Sequence, residues 1–232
     1  MMKSDRRTAS ILGLLLISGT VFGILNTVPA LEFPNYLAKL STIRTQVLIA
    51  VFFQAAMAIA YACIAILFFQ IIKKYSEGLA IAYLAFRLIG AAFLFAGIAS
   101  LSLLLFLSEN YASAGFPDSS YYQTLGELLR TCRDLLNHVG MILPWMIGGL
   151  ILVFCMFKMK LVPQWLSVWG IAGSSLTLLS TLMLMVNFIK MATPVYFIMN
   201  MPEAFFELTL AFYLIGKGFN PIVLIAKEKA GL

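Results

Sequence analysis

The feature that most constrains this chain is a succession of six long apolar runs, each separated from the next by a short polar or charged segment. Each run is long enough to cross a bilayer, because a transmembrane helix needs about 20 predominantly apolar residues. Hydrophobic residues make up 62% of the chain and charged residues 11%, against roughly half and a quarter in soluble domains. A soluble core cannot hide that excess, so the sequence predicts that lipid is the solvent for much of the surface.

The predicted fold is all-α, a polytopic helical membrane bundle that forms a single membrane domain over residues 1–232. About six transmembrane helices are expected, over residues 11–31, 47–72, 77–107, 135–157, 165–188 and 196–215. The first run follows a basic start, which is also typical of a signal peptide, but it exceeds the usual apolar stretch of about 7–15 residues. We therefore interpret it as a retained helix, whose Gly19 and Gly23 form a GxxxG pair suited to close packing.

Lysine and arginine residues are distributed unevenly between the two sides of this predicted bundle. With the N-terminus inside, ten lie in inner segments and five in outer segments, and Arg87 lies within the third span. Cytoplasmic loops of membrane proteins carry the excess of positive charge, so both termini are expected in the cytoplasm. The inner set is Lys3, Arg6, Arg7, Lys73, Lys74, Lys158, Lys160, Lys217, Lys227 and Lys229, and the outer set is Lys39, Arg44, Arg130, Arg133 and Lys190.

An amphipathic outer helix is expected over residues 119–136, in the long loop before the fourth span. Pro117, Asp118 and Ser119 are typical of a helix start. Apolar side chains then recur with helical spacing, and charged side chains fall largely on the other faces. This helix should either lie on the outer surface or extend the fourth span outward. The recurring apolar residues are Leu125, Leu128, Leu129, Cys132, Leu135 and Leu136.

Five short strings carry a resemblance to a known family. They are YLAFR at 83–87, RD at 133–134, LVPQWLSVWG at 161–170, EL at 207–208 and KGFNP at 217–221. In that order they resemble a bacterial membrane family catalogued as domain of unknown function 4386, and the resemblance covers nearly the whole chain. It implies a small multi-pass protein of the bacterial inner membrane, and it implies no reaction or substrate.

Arg87 and Glu207 are charged residues at matching depths in two antiparallel spans. Arg87 follows Glu77 by ten residues and Glu207 precedes Lys217 by ten residues. Each is therefore about 15 Å from the inner face, near the middle of the bilayer. An unpaired arginine there costs about 2.5–3.5 kcal/mol on insertion scales. We expect the two side chains to bind each other directly, either as a structural ion pair or as part of a site for a ligand or ion.

Glu203 gives this predicted layer more acid than base. It lies one helical turn before Glu207 on the same face, and Asn200 lies roughly one turn further along. Two carboxylates that share one arginine leave one acid to be protonated, hydrated or bound to a cation. The alternative is that Glu203 lies close enough to the outer surface to be wet.

Three more polar residues are expected near the same outer level. Asn26 and Gln54 reach the outer third of their helices, and His138, the only histidine, lies about 30 Å from the inner face. If these groups converge with Asn200 and Glu203, they form an outward-facing pocket floored by Arg87 and Glu207. If they point to separate loops, there is no pocket.

Cofactors, metals and nucleic acid are not expected. The three cysteines show no CxxC or Cys/His spacing, and a lone histidine does not make a metal site. The net charge of +6 arises from residues between hydrophobic runs, where they act as topology signals rather than as a nucleic-acid surface. No catalytic residues are assigned, because no Ser/His/Asp order, HExxH motif or histidine cluster is present.

Three hypotheses of function remain open at this stage. The first is a protein that binds a small or amphiphilic ligand in the polar pocket, for transport or sensing, in a multi-pass bacterial inner membrane protein that could work as a homodimer. The second is a membrane subunit or assembly protein whose polar layer is purely structural. The third is an intramembrane enzyme that acts on lipid, with Glu203 and Glu207 as acid and base. The expected partners are the bilayer and a small-molecule or lipid ligand.

Overall fold

The protein is described here from a computed structural model, over residues 3–117, 120–191 and 193–220. Eight α-helices and no strands occur in those ranges. They are α1 (Lys3–Leu25), α2 (Tyr36–Thr42), α3 (Arg44–Ile72), α4 (Glu77–Ser113), α5 (Ser120–Leu135), α6 (Ile142–Met159), α7 (Gln164–Met185) and α8 (Pro194–Gly216). A 3₁₀ turn covers Pro29–Glu32, and a π-helical turn covers Leu136–Gly140 between α5 and α6.

Six helical stretches are long and apolar enough to span a membrane, which confirms the predicted polytopic all-α bundle. Five of them are α1, α3, α4, α7 and α8, and the sixth is the stretch from Ser120 to Met159, in which the π-helical turn joins α5 to α6. Large apolar side chains remain exposed along these helices, among them Phe52, Phe106 and Phe212. In a bilayer that outward apolar surface faces lipid rather than water.

The chain departs from the predicted spans where proline or capping chemistry ends a helix. The first helix ends at Leu25 rather than Leu31, because Pro29 disfavours a helical residue before it and starts a separate 3₁₀ turn. Likewise α8 begins at Pro194, where the Thr193 hydroxyl accepts a hydrogen bond from the Tyr196 amide at 3.4 Å. The short helix α2 was not expected from the sequence.

The six spanning stretches pack as a closed ring. Each of them packs against the one before and the one after it in the chain, and α1 packs against α8. In this ring α4 lies opposite α8. At the end where α1 begins and α8 ends, which we call the terminal end, Arg6 donates hydrogen bonds to the carbonyls of Ile215 and Gly216 at 2.9 and 2.7 Å. These bonds satisfy last-turn carbonyls that have no partner within the helix.

The opposite end, which we call the cap end, has a core of its own. The 3₁₀ turn and α2 pack with the second half of α4 and the start of α3 around Leu31, Leu40 and Leu104. Helix α5 closes this core with Tyr122, Leu125 and Leu129, and leaves Tyr121, Leu128 and Leu135 exposed. The expected amphipathic helix is therefore present from Ser120, and its expected first residue, Ser119, lies outside the described ranges.

Candidate functional site

A small cavity lies inside the ring, at the level of the buried charges. Its volume gives room for about one water molecule. Helices α1, α3, α4, α6 and α8 contribute its walls, which are apolar apart from Arg87, Glu203 and Glu207. The remaining lining residues are Leu16, Ile64, Phe68, Gly149, Leu152, Val153, Phe206 and Leu210.

Arg87 is buried in the ring interior, with 4% of the residue exposed. Its guanidinium carbon lies 3.8 Å from the centre of the Trp145 ring and 5.5 Å from that of Tyr83. A cation over an aromatic face is stabilised by the ring quadrupole. The Nε atom, however, is buried with no hydrogen-bond partner. The arginine is therefore held by stacking, and its Nε is a buried donor without a partner.

The expected direct bond between Arg87 and Glu207 is wrong. In the described part of the chain, no oxygen of Glu203 or Glu207 lies within the 4.0 Å of an Arg87 nitrogen that defines an ion pair. The reason is the ring: α4 and α8 face each other across it, and the cavity lies between them. Equal depth along two helices does not fix their distance across a bundle. The pair interacts through space, with the Trp145 indole beside Glu207.

Glu203 is held from the α7 side. Only 6% of this residue is exposed, and its Oε2 accepts a hydrogen bond of 3.0 Å from the hydroxyl of Ser174. Gly173 makes this approach feasible, since a Cβ there would lie 2.8 Å from Glu203 Oε2 and 3.0 Å from its Cα. The expectation that Glu203 is wetted at the outer surface does not hold, because the residue is buried.

Glycines in α6 make the room for the arginine. A Cβ at Gly148 would lie 3.2 Å from Arg87 Cγ, and one at Gly149 would lie 3.5 Å from Arg87 Nη2. Real Cβ contacts are seldom as close as the first of these, so a side chain there would press on the arginine stem. Small residues let transmembrane backbones approach closely. Here they also leave space for a large charged side chain.

Pro202 interrupts α8 immediately before Glu203. Proline has no amide hydrogen, so the carbonyl one turn earlier loses its helical donor, and the ring of the proline disfavours a straight helix. In transmembrane helices such interruptions are tolerated where neighbouring groups compensate. The two carboxylates thus follow a locally weakened turn of the helix.

The other four residues of the predicted polar layer do not line this cavity. Asn26 donates to the sulfur of Met57 at 3.8 Å, and His138 Nδ1 lies 2.9 Å from the hydroxyl of Tyr196. Gln54 donates to the Leu94 carbonyl and to Asn137, at 2.9 and 3.0 Å, and Asn200 donates to Ser180 and to the Tyr196 carbonyl. These groups form separate contacts nearer the cap end, so the structure unites three of the seven predicted residues.

Several residues of the site are uncharged, so looking for charged residues within the predicted spans did not identify them. Trp145 stacks on Arg87, Ser174 binds Glu203, and Gly148 and Gly149 give the arginine space. The paired glycines of α6 and the adjacent Gly173 and Ser174 of α7 were the available signal. Small residues of this kind are common in membrane helices, so only the packing shows which of them face a charge.

Together these features define a polytopic helical membrane protein with one arginine and two glutamates around a central cavity. The chain belongs to the family described as "Domain of unknown function (DUF4386)", whose profile matches residues 11–218. Neither the search of curated proteins nor the search of solved structures gives a significant match. The resemblance expected from the short strings is therefore confirmed.

Proposed function

We propose that this protein binds a small or amphiphilic ligand in the central cavity, as a transporter or a sensor, and that the ligand carries positive charge. The observation that supports this most strongly is the group of three ionisable side chains facing one cavity without an ion pair between them. Ionisable residues inside a membrane bundle are costly and mark ligand or ion sites. A purely structural layer would gain more by bringing the opposite charges into contact.

The chemistry of the cavity favours a cation. Two carboxyl groups face one guanidinium, so the fully ionised site has one excess negative charge. Two aromatic rings, Phe68 and Phe206, line it. Trp145, which stacks on Arg87, lies against Tyr61 with ring centres 4.2 Å apart. Carboxylates together with aromatic faces are the groups that recognise quaternary ammonium and related cations.

A ligand larger than water requires the ring to open. Two interruptions in the spanning helices supply places for that movement, namely Pro202 in α8 and the π-helical turn Leu136–Gly140 before α6. Turns of this kind are frequent at functional sites. We propose that binding separates α8 from its neighbour α7 at the level of Glu203, from the cap side of the cavity.

Tetramethylammonium is the probe for this proposal, because it is a small permanent cation with little affinity for lipid. Trp145 supplies the signal, since replacing Trp165 and Trp169 with phenylalanine leaves it as the only tryptophan of the chain's three. In lipid nanodiscs, we expect a saturable change in Trp145 fluorescence on addition of the probe. In Glu207→Gln the apparent Kd should rise at least about tenfold, which corresponds to about 1.4 kcal/mol.

Glu109→Gln is the matched control. Glu109 is a carboxylate at the cap end, paired with Arg44 and remote from the cavity, so its loss should leave the Kd unchanged. A fluorescence response that is equal in Glu207→Gln and the parent would place the probe elsewhere. The absence of any saturable response would contradict the proposed function.

A structural role is the second candidate, and the small volume of the cavity favours it. A layer that holds about one water molecule is nearly filled, as a membrane subunit or assembly protein would need. In that case, apolar replacement of Arg87 and Glu207 together should keep both the fold and the cellular role. A lipid-acting enzyme has no comparable observation in its favour.

We propose the inner membrane of a bacterium as the location, with both termini in the cytoplasm and the chain active alone or as a homodimer in contact with lipid. Single cysteines at Ser120 and Gly216 test the orientation without altering any charge, in a chain whose own cysteines are replaced by serine. A Cβ at Gly216 would meet no atom within 4 Å. A membrane-impermeant maleimide should label the first from outside the cell and the second only after lysis. Labelling of both cysteines from the same side would contradict their proposed placement on opposite sides of the membrane.

A further inference from the structure

We propose that Glu203 and Glu207 together bind one exchangeable proton, so that the central cavity is a proton site as well as a ligand site. The inference rests on the proposed function only in using the same cavity. It concerns the state without a ligand, and it is tested in that state.

The first support is the placement of the two carboxyl groups. They lie four residues apart on α8, on adjacent turns of one helix face, where Cβ atoms are about 5–6 Å apart. Both line the same cavity. Two like charges at that separation in an apolar site disfavour the doubly ionised form, and the usual result is that the pair retains one proton.

The second support is Arg87, which balances one negative charge and no more. It lies across the cavity with a buried Nε that has no hydrogen-bond partner. With one carboxyl group protonated and the other ionised, the three side chains have no net charge, and the cost of burial falls.

The third support is the size and surroundings of the cavity. Room for about one water molecule lets a proton pass between the two carboxyl groups, and it leaves no space for a hydrated metal cation while the ring is closed. Tyr83 on α4 and Tyr61 on α3 are close enough to Glu207 to interact with it through space. The Trp145 indole on α6 lies beside Glu207, and the Ser174 hydroxyl on α7 binds Glu203. Among the lining residues of α1 only Leu16 contributes, and it is apolar. Arg87 is the one permanent cation in this set.

The proton balance of the site is simple. In the protonated state, one carboxyl group carries the proton and the other is ionised opposite Arg87. Deprotonation transfers that proton to water and leaves two carboxylates, a state that a bound cation would stabilise. A cationic ligand and the proton therefore compete for the pair, so binding of one should release the other.

Infrared difference spectroscopy of the ligand-free protein in nanodiscs tests the proposal directly. Raising the pH stepwise from mildly acidic to alkaline should remove one carboxylic acid C=O band, and that band should shift in deuterated buffer. In Glu203→Gln and in Glu207→Gln, the band should be absent throughout, because the remaining carboxylate is neutralised by Arg87. Glu127→Gln, on exposed α5, is the control that should keep the band.

Each outcome supports or overturns the shared proton site, provided that the glutamine variants elute as folded single species. A parent protein without a titrating acid band would overturn the proposal. A band that disappears in only one glutamine variant would assign the proton to that residue alone, which also overturns a shared site. A band that responds to sodium at constant pH would indicate a metal cation instead. Failure of tetramethylammonium to bind, with the band intact, would remove the ligand proposal and leave the proton site.

Discussion

Two arginines in this molecule, Arg130 at the cap end and Arg87 in the ring, differ in how far their guanidinium groups are hydrogen-bonded. Arg130 donates to the Leu31 carbonyl at 3.0 Å and to Glu127 at 2.9 Å, and it lies 4.9 Å from the centre of the Tyr36 ring. Arg87 is more deeply buried, yet its Nε has no partner and neither glutamate reaches it. The site with the greater need for hydrogen bonds has fewer of them.

This difference separates an arginine whose hydrogen bonds join structural elements from one that is positioned mainly by stacking on aromatic rings. At the cap end, the guanidinium joins α5, α2 and the 3₁₀ turn through two hydrogen bonds and a contact with the Tyr36 ring. In the ring, aromatic stacking positions the charge among apolar walls, and the buried Nε makes no hydrogen bond. An unsatisfied buried donor costs about 1–3 kcal/mol. Arg133 Nε also lacks a partner, so what distinguishes Arg87 is its position opposite two carboxyl groups rather than the lone donor.

The largest effect is expected from Arg87→Leu, which removes the one permanent cation among the described residues that line the cavity with Glu203 and Glu207. Removal of one side of a buried charge set typically lowers the free energy of unfolding by about 3–5 kcal/mol. Protonation of Glu207 should soften that loss. Equilibrium unfolding in mixed micelles measures it.

The double variant Arg87→Leu/Glu207→Leu sharpens the same comparison. It should recover most of the stability, because neither charge is then left alone in an apolar site. If tetramethylammonium binding is lost while the fold is kept, the charges belong to a working site. If the double variant is as unstable as the single one, the account of an uncompensated charge is wrong.

The next largest effect is expected from Gly173→Ala. The new methyl group would lie within 3.0 Å of the backbone of Glu203, so α7 and α8 must separate locally. Overpacking of this kind costs about 1–3 kcal/mol. Gly78→Ala is the matched control, because a Cβ there meets nothing within 4 Å and the change should stay within about 0.5 kcal/mol. Equal effects of the two substitutions would show that Gly173 is not a close-contact position.

A smaller effect is expected from Arg130→Met, which keeps an apolar stem at the cap end and removes its hydrogen bonds. The loss should be about 1–2 kcal/mol and should be confined to α5, seen as faster hydrogen exchange of its amides. Fluorescence of Trp145 should not change, since the two regions share no contact described above. A shift in Trp145 would show that the cap end and the ring are coupled.

The smallest effect is expected from Arg44→Gln. Its ion pair with Glu109 is 2.9 Å long but the side chains are 62% and 40% exposed, so screening by solvent leaves it worth about 0.2–1 kcal/mol. The melting temperature in nanodiscs should change little, and less at high salt. A loss as large as that of Arg130→Met would show that exposure does not separate the two cap-end arginines.

Counting residues along the helices predicted a good part of this architecture. The six spans, the amphipathic α5 and the inward position of Arg87 follow from hydropathy, spacing and the cost of a charge in lipid. The cavity partners of Arg87 were also found, because Glu203 and Glu207 are the acids at its depth. The four outer polar residues were not separable from them in sequence, since only the structure shows that Gln54 and Asn200 donate their hydrogen bonds to other groups than the site.

The sequence by itself determined that the chain crosses a membrane as helices and that Arg87, Glu203 and Glu207 share a level, because bilayer thickness and helical rise act along the chain. Only the tertiary structure decided that α4 and α8 lie on opposite sides of a ring, so that these charges face a cavity instead of each other. Distance across a bundle depends on which helices pack together and on where Gly148, Gly149 and Gly173 let them approach. Those contacts join residues far apart in the chain, and helical periodicity carries no information about them.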